Sequence, residues 1–520
     1  MNKNNIPGAI IWGLSSLVII LGILIFLSPP AVFPDPANGF QVMRSMELGG
    51  GFNRLVSPDA NDLSKNTSVF LSWWTPGQYM VPYGFKLAFG INTGPATALT
   101  ITLFQLLGLW GFYLLFKKIG FTPIVAALSL LFIACQQFFV VPFVFYNGGE
   151  LLLFGFLGWF LLCCVSLKSA GPVAAIFVLL AGFAGFFCKS SVMWIYVAGM
   201  IFLWIRLSYQ KTIIQWLKNG FWIGFPAIAA IAFIWYFYIS KGQNPTSDAA
   251  GLKLSLKAFC FPLASPLLSG FSIDDLAHGL IFHTGNLTFS DTVSSVIIIV
   301  LAILSIWLLL LLLKHVPDPN YRLIIKVFYI SAVLFFTAAY LRQLTITYEA
   351  RHFRIIGLLI VPGIIYLLST TRLIYRSAFF CIGSAIALTS ISYVSTGYAY
   401  NRNHSARGTS GLAQPAIDQA ALNRIIAIDK QNTNAIFVFV NESLPVEIKH
   451  NRVIVLDPIG DDLKIDYEDY EQSGHAGPLY IILPESYAGP KEKMILRSFP
   501  QYQGWNGSML SDGYVMYETR

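Results

Sequence analysis

The first part of the chain contains very little acidic charge. Between Met1 and Ser395, the 520-residue sequence has only eleven Asp and Glu residues. Charged residues of all kinds make up 12% of the chain and hydrophobic residues 55%, whereas a soluble domain carries roughly a quarter charged residues. This composition excludes an ordinary soluble protein and predicts a polytopic membrane protein.

The sequence also lacks the signatures of several enzyme classes. It has no P-loop, no Gly-x-Gly-x-x-Gly motif, no Gly-x-Ser-x-Gly elbow and no His-Glu-x-x-His helix. No spacing of His, Asp and Glu resembles a structural metal site, and residues 396–520 contain no cysteine for a disulfide framework. We therefore predict no nucleotide site and no cofactor, and the need for a divalent metal stays open.

The basic residues are concentrated in the first part of the chain. Residues 1–395 hold 23 Lys and Arg against 11 acidic residues, and residues 396–520 hold 11 against 15. The net charge of +8 therefore belongs to the loops between apolar segments. Nothing in this distribution indicates binding to nucleic acid.

Hydropathy predicts about eleven membrane spans, each close to the ~20 residues that a bilayer requires. The first is interpreted as a retained signal anchor, because it is longer than a signal-peptide core. The predicted spans are 10–28, 95–116, 123–142, 148–167, 172–188, 192–207, 220–239, 292–313, 323–341, 355–371 and 377–395.

Segment 74–90 decides the orientation of every later loop. If it is an interfacial or re-entrant helix, the short Lys- and Arg-rich loops share one side with Lys3, as the positive-inside rule favours. The protein is then a multi-pass protein of the inner (plasma) membrane. Its N-terminus is cytoplasmic and its C-terminal part is extracytoplasmic, in the periplasm.

This orientation predicts an α-helical polytopic membrane protein with two domains. Residues 1–395 form the transmembrane domain, with long extracytoplasmic loops at 29–94 and 240–291, and Asn38–Leu48 could form an amphipathic helix on the membrane surface. Residues 396–520 form a small extracytoplasmic α/β domain, because apolar runs alternate with helical stretches. The runs are Ala435–Val440, Val453–Leu456, Leu479–Leu483 and Tyr514–Tyr517, and the helical stretches are Pro415–Lys430 and Lys491–Ser498.

Almost all carboxylates before residue 396 fall on one side of this topology. Ten of the eleven are extracytoplasmic, and only Asp318 is on the other side. A transporter is expected to place carboxylates at mid-membrane depth, where they coordinate ions or relay protons. Carboxylates gathered with a few cations at one water-facing end of a helical bundle indicate instead a membrane-embedded active site.

Asp35 is the candidate catalytic base. It lies in Phe33-Pro-Asp-Pro, seven residues past the first predicted span. A carboxylate there could take a proton from a hydroxyl nucleophile. The structural alternative is an Asp that caps the following helix.

Glu150 and Lys189 are candidate substrate-binding residues at the ends of predicted spans. Glu150, in Tyr146-Asn-Gly-Gly-Glu, could contact a substrate hydroxyl, or only stabilise the helix dipole. Lys189 ends the fifth predicted span. It could bind a lipid-linked phosphate, or only extend its side chain to the membrane interface.

The densest group of charged residues is the segment Arg342–Arg354. Arg351 is the candidate phosphate ligand, because guanidinium binds phosphate through a planar fork. Arg354 is three residues away and would face the same way on a helix. The alternatives are binding of lipid headgroups or a salt bridge between Arg351 and Glu349. The other candidate substrate-binding residues of this segment are Tyr348 and His352.

Several motifs, by their order and sidedness, resemble the GT-C class of integral-membrane glycosyltransferases. The resemblance is to the bacterial branch related to lipid A aminoarabinose transferase and protein O-mannosyltransferases, and it covers residues 10–395 and the soluble C-terminal domain. The motifs are Asp35-Pro-Ala-Asn-Gly-Phe, Trp74-Thr-Pro-Gly-Gln-Tyr, Tyr146-Asn-Gly-Gly-Glu, Ala184-Gly-Phe-Phe-Cys-Lys and Glu349-Ala-Arg-His-Phe-Arg.

This resemblance implies a donor sugar carried on a polyprenyl phosphate and an acceptor that is an envelope glycan, lipid or protein. The acceptor hydroxyl would attack the anomeric carbon while Asp35 takes its proton, which inverts the anomeric configuration. Lys189 and Arg351 would stabilise the leaving lipid phosphate. We therefore expect Asp35, Glu150, Lys189 and Arg351 to line one cavity at the outer leaflet.

Two other functions stay open at this stage. A transporter or flippase needs polar residues at mid-membrane depth, and residues 297–313 are almost wholly apolar. A catalytically inert scaffold that binds glycolipids would explain departures from the GT-C motifs. One such departure is Pro36, which stands where an acidic residue often follows the Asp.

Overall fold

The computed structural model describes residues 5–242, 251–273, 290–465 and 470–519, and most of these residues are helical. The α-helices are α1 Ile6–Leu27, α2 Pro34–Glu47, α3 Gly77–Phe89, α4 Thr93–Lys118, α5 Pro123–Ala134, α6 Gln137–Val140, α7 Gly149–Ser166, α8 Pro172–Cys188, α9 Val192–Ser208, α10 Ile213–Phe237, α11 Leu256–Leu263, α12 Ser265–Gly270, α13 Asp291–His315, α14 Pro319–Leu341, α15 Arg354–Thr370, α16 Leu373–Asn403, α17 Gln419–Gln431 and α18 Pro490–Arg497. The strands are β1 Ala31–Val32, β2 Arg54–Asp59, β3 Asp62–Phe70, β4 Phe145–Tyr146, β5 Ala406–Arg407, β6 Ala413–Gln414, β7 Ile436–Phe439, β8 Arg452–Val455, β9 Leu479–Pro484, β10 Asn506–Ser511 and β11 Tyr514–Thr519.

Many of these helices are long and apolar enough to cross a membrane. Within the described ranges 8 helices meet this requirement, and the bent pair of Pro123–Ala134 and Gln137–Phe143 raises the number to 9. Helices α8 and α9 are apolar but have only 17 residues each. The chain is a multi-pass membrane protein, and the count of eleven spans stays a prediction.

Helix α3 corresponds to the segment on which the predicted orientation depends. It has 13 residues, so it is roughly 20 Å long at 1.5 Å per residue. The hydrocarbon core of a bilayer is about 30 Å thick. The helix ends at Phe89, and Gly90 follows it in the left-handed conformation with a φ of 63°. Its length is therefore compatible with an interfacial or re-entrant helix.

The described chain divides into two compact units. Unit 1 consists of Met1–Leu21, Ile101–Pro142 and Gly149–Ser395, and unit 2 consists of Gly22–Thr100, Phe143–Gly148 and Thr396–Arg520. The C-terminal residues therefore belong to the same unit as the whole of the first long loop, 29–94. One division lies between Ser395 and Thr396, and the sequence did not indicate that unit 2 has three segments. The predicted extents of the two domains stay a prediction.

In unit 1, a glycine allows two helices to approach closely near the segment that contains Arg351. Gly357 lies in the first turn of α15, next to the last turn of α12. A Cβ atom at Gly357 would overlap the carbonyl oxygen of Ser269. Because that oxygen is backbone, it cannot move aside as a flexible side chain can. Only glycine fits this contact without displacing α15.

Replacing Gly357 by alanine is expected to destabilise the protein by about 1–3 kcal/mol, the usual cost of overpacking a helix contact. The thermal unfolding midpoint in detergent should fall below that of the wild type. Gly224→Ala in α10 is the matched control, because a Cβ atom there meets no atom within 4 Å. Equal midpoints for the two variants would contradict the described packing of α12 and α15.

Unit 2 contains a five-stranded sheet with the order β10-β11-β9-β7-β8. Strand β7 pairs in parallel with β8 and β9, and β11 pairs in antiparallel with β9 and β10. Alternate residues of β7 pack in two different hydrophobic clusters. Ile436 packs in a cluster with Ile495 of α18, and Phe437 packs in another with Leu422 of α17. The prediction of a small C-terminal domain with a sheet is confirmed.

Helix α2 covers residues 38–47 of the predicted amphipathic helix 38–48, and most of its residues are buried. The Arg44 guanidinium donates hydrogen bonds to the carbonyl oxygens of Ile448 and Asn451 in the same unit. Burial lowers the pKa of Arg44 to about 10, against the opposing effect of Asp429. The helix forms as predicted, and its buried residues pack against polypeptide of the same unit. That the helix lies on the membrane surface stays a prediction.

The first long loop also contains a β-hairpin, formed by β2 and β3. Leu63 of β3 is buried in the same hydrophobic cluster as Ile436. Its N–H donates to the carbonyl oxygen of Ser473 at 2.9 Å, and its own carbonyl accepts from Arg452 Nη1 at 2.7 Å. These contacts attach the hairpin to the C-terminal residues of unit 2.

The second long loop, 240–291, is described only in part. Residues 251–273 include the short helices α11 and α12 of unit 1. Three of the acidic residues that the topology assigns to the extracytoplasmic side lie outside the described residues. These are Asp248, Asp274 and Asp275.

Candidate active site

Two acidic and two basic side chains form one ion-paired cluster in unit 1. Glu150 lies in the first turn of α7, and Lys189 directly follows α8. Lys189 Nζ forms an ion pair with Glu150 Oε1, and Arg351 Nη1 lies 3.4 Å from the same oxygen. Arg351 Nε forms a second ion pair with Glu349. Glu150, Lys189 and Arg351 therefore meet, as predicted. The Arg351–Glu349 salt bridge, which we considered as the alternative to phosphate binding by Arg351, is also present.

The four side chains remain accessible to a ligand. Their exposed fractions are 20% for Lys189, 26% for Glu150, 27% for Glu349 and 40% for Arg351. Two carboxylates and two cations balance each other in formal charge. An anion that binds here competes with these carboxylates for the cations, and Glu150 is the carboxylate that both cations contact.

The backbone around Gly149 explains how Lys189 reaches Glu150. A Cβ atom at Gly149 would lie 3.1 Å from both the carbonyl oxygen of Cys188 and Cγ of Lys189. Glycine therefore lets the first turn of α7 lie against the end of α8. The Gly-Gly pair before Glu150 is the sequence signal for this close approach, because glycine is favoured where two backbones meet.

Tyr348 and His352 flank the ion-paired cluster in sequence and are held by aromatic rings. The Tyr348 ring stacks on Tyr340 with a centroid distance of 4.1 Å, and Lys257 Nζ lies 5.0 Å from its centroid. Burial raises the pKa of the Tyr348 hydroxyl. The His352 ring lies 5.7 Å from the ring of Phe336. Their predicted role in substrate binding stays a prediction.

Arg354 engages a different set of residues from Arg351. Its Nη1 donates to Ser272 Oγ at 3.0 Å, and its guanidinium lies 4.0 Å from the ring centroid of Phe138. The expectation that the two arginines face the same way is not met by these contacts. A 3₁₀ helix, Ala350–Phe353, gives way to α15 between them, so they are not on one continuous helix.

Asp35 belongs to unit 2 and lies in the first turn of α2. The cap residue of this helix is Phe33, so Asp35 does not occupy the N-cap position. The Phe33 N–H donates to the carbonyl oxygen of Tyr146 at 3.2 Å, and β1 pairs in parallel with β4. Asp35 is thus an exposed residue on a fixed backbone. That it shares a cavity with Glu150, Lys189 and Arg351 stays a prediction.

Metal binding receives no support from the described residues. They contain no group of three or more His, Cys, Asp and Glu side chains placed to hold a metal ion. The requirement for a divalent metal therefore stays open. The chemistry that the cluster can perform without one is the binding of an anionic group between Lys189 and Arg351.

The fold of this chain is similar to that of GT-C membrane glycosyltransferases. It is similar to ArnT from Cupriavidus metallidurans bound to undecaprenyl phosphate, with a TM-score of 0.50 and 13% identity over 97% of this chain and 98% of that one. No protein-family model and no curated protein matches the chain.

Two other solved structures have similar scores. Arabinofuranosyltransferase AftD from mycobacteria has a TM-score of 0.49 and 12% identity over 98% of this chain and 39% of that one. The oligosaccharyltransferase of Archaeoglobus fulgidus has a TM-score of 0.47 and 12% identity over 99% of this chain and 74% of that one. The chain therefore spans about two fifths of the length of AftD.

Proposed function

We propose that the protein is a GT-C type glycosyltransferase. It moves a sugar from a polyprenyl-phosphate-linked donor to an envelope glycan, lipid or protein at the extracytoplasmic face of the membrane. The observation that carries this proposal is the convergence of Lys189 and Arg351 on Glu150 in a protein with the GT-C fold. The orientation with a cytoplasmic N-terminus is part of the proposal.

The two cations serve as the binding site for the donor phosphate. A phosphate monoester or diester offers several acceptor oxygens, and Arg can hold two of them through its planar fork. Lys189 and Arg351 already lie within contact range of the same carboxylate oxygen. Phosphate oxygens take the place of Glu150 on these cations, and the released carboxylate is then available for a hydroxyl of the sugar.

Asp35 acts as the general base. The acceptor oxygen attacks the anomeric carbon, its proton passes to the Asp35 carboxylate, and the bond from that carbon to the phosphate oxygen breaks with its electron pair on the phosphate. Lys189 and Arg351 stabilise this charge as it develops. A single displacement predicts inversion of the anomeric configuration.

The test is a transfer assay with purified protein in liposomes. A panel of radiolabelled polyprenyl-phosphate pentoses and hexoses is offered with glycans, lipids and proteins extracted from the cell envelope. We expect the label to move to an acceptor, with release of an equal amount of polyprenyl phosphate and inversion detected by NMR. Movement of intact donor lipid across the bilayer, without transfer to any acceptor, would instead establish a flippase.

A further inference from the structure

The Glu349 carboxylate has no part in the proposed transfer, yet both of its oxygens are engaged. Oε2 forms the ion pair with Arg351 Nε, and Oε1 accepts a hydrogen bond from Thr347 Oγ1 at 2.6 Å. The contact of Arg351 with Glu150 uses a different atom, Nη1. Glu349 therefore holds the Nε side of the Arg351 guanidinium, whereas Nη1 is directed at the Glu150 oxygen that Lys189 also contacts.

Thr347 connects this carboxylate to the rest of the segment. Its hydroxyl has one proton, which it donates to Glu349, so its oxygen can accept from His352 Nε2 at 3.5 Å when that nitrogen carries a proton. The Thr347 carbonyl accepts from Tyr340 Oη at 3.2 Å and from the Glu349 N–H at 3.1 Å. Residues 347–352 are thus fixed to one another and to α14.

We propose that Glu349, oriented by Thr347, is a positioning residue for Arg351. It keeps the guanidinium in place when the donor phosphate displaces Glu150, so that Arg351 presents its Nη N–H groups to the phosphate. Without this attachment the long Arg351 side chain must lose its rotamer freedom when the donor binds. This role rests on the proposed function, because it assumes that Arg351 binds a polyprenyl phosphate.

The sign of the effect distinguishes positioning from simple electrostatics. A carboxylate near an anion site repels the anion, so its removal would tighten binding if charge alone mattered. Positioning predicts the opposite result, because Arg351 loses a charge-assisted hydrogen bond that fixes its orientation. Thr347→Val separates the two effects further, since it removes the hydrogen bond to Glu349 and leaves every charge unchanged.

The experiment measures the Kd of undecaprenyl phosphate by native mass spectrometry of the full-length protein in nanodiscs. We expect Glu349→Ala to weaken binding about tenfold, the size expected for a charge-assisted hydrogen bond. Thr347→Val should weaken binding in the same direction, and Thr347→Ser should restore it. Asp462→Ala, at an exposed carboxylate of unit 2, should leave the Kd unchanged. Equal thermal midpoints show that each variant is folded.

Different failures identify different errors. If the wild-type protein binds undecaprenyl phosphate and Glu349→Ala binds it with an unchanged or lower Kd, the positioning role is overturned and the proposed function is left intact. If Glu349→Ala binds more weakly but Thr347→Val and Thr347→Ser have equal Kd values, the role assigned to the Thr347 hydroxyl is overturned. Wild-type protein that does not bind undecaprenyl phosphate overturns the proposed donor and the positioning role together.

Discussion

Replacing Asp35 by asparagine is expected to reduce sugar transfer by a hundredfold or more, which is within the range of about 10²–10⁴ for the loss of a general base. Asparagine has nearly the same shape as aspartate but cannot accept the proton of the acceptor hydroxyl. Because Asp35 is exposed and is not the cap of α2, this substitution should leave folding intact. The measurement is the initial rate of transfer at saturating donor and acceptor.

A matched control tests whether the loss is specific. Asp512→Asn makes the same chemical change at an exposed turn between β10 and β11 of unit 2. It should keep the wild-type rate. The Kd for undecaprenyl phosphate should also be retained in Asp35→Asn, since the base acts on the acceptor. Transfer by Asp35→Asn at close to the wild-type rate would eliminate Asp35 as the base.

Removing either cation is expected to have the second largest effect, and this one should appear in donor binding. We expect Arg351→Ala and Lys189→Ala each to raise the Kd for undecaprenyl phosphate by roughly 10- to 100-fold. This corresponds to a loss of about 1.5–3 kcal/mol for a hydrogen bond to a charged group. The rate at saturating donor should also fall, because both cations stabilise the leaving phosphate.

The control for these variants is Arg322→Ala. Arg322 lies in the first turn of α14 in the same unit, where its half-buried side chain donates to the carbonyl oxygen of Pro317. Its loss removes one positive charge without touching the ion-paired cluster. If Arg351→Ala and Lys189→Ala bound undecaprenyl phosphate as tightly as Arg322→Ala does, the cations would have no part in holding the donor.

Hydropathy located the long apolar helices but not every break in them. The predicted span 123–142 reads as one apolar segment, yet the chain bends by 74° between Ala134 and Gln137 without a proline at the bend. Gln136 donates to the carbonyl oxygen of Gly270 at 2.9 Å and accepts from Ser272 Oγ. These partners are far away in sequence, so the pattern of apolar residues could not indicate the bend.

Two of the strands that the sequence analysis missed, β2 and β10, are interrupted by proline or largely polar. Strand β2 contains Pro58, which disfavours a strand in the middle of a sheet, and β10 is the sequence Asn506–Ser511, with little apolar character. Both are stabilised by their antiparallel neighbours, β3 and β11. Local propensity is a weak guide where pairing and burial supply the stability.

The candidate site could be assembled only in part from the sequence. The order and sidedness of the motifs predicted that Glu150, Lys189 and Arg351 lie close together, and their ion pairs show this contact. That Asp35 joins them stays a prediction. The sequence could not indicate that Arg351 contacts Glu150 through Nη1 and Glu349 through Nε, since this depends on the orientation of one guanidinium. The spacing of three residues predicted that Arg354 and Arg351 share one helix face. Arg351 lies in a 3₁₀ helix and Arg354 begins α15, so the two side chains contact different residues.

The most direct test of the account is an experimental structure of the protein in a nanodisc with undecaprenyl phosphate. We predict phosphate oxygens within about 3 Å of Lys189 Nζ and of the Arg351 guanidinium, the normal range for charge-assisted hydrogen bonds. Glu150 should have lost its contact with Arg351, and Glu349 should have kept its own. Phosphate bound elsewhere, with Glu150 still paired to both cations, would contradict the proposed donor site.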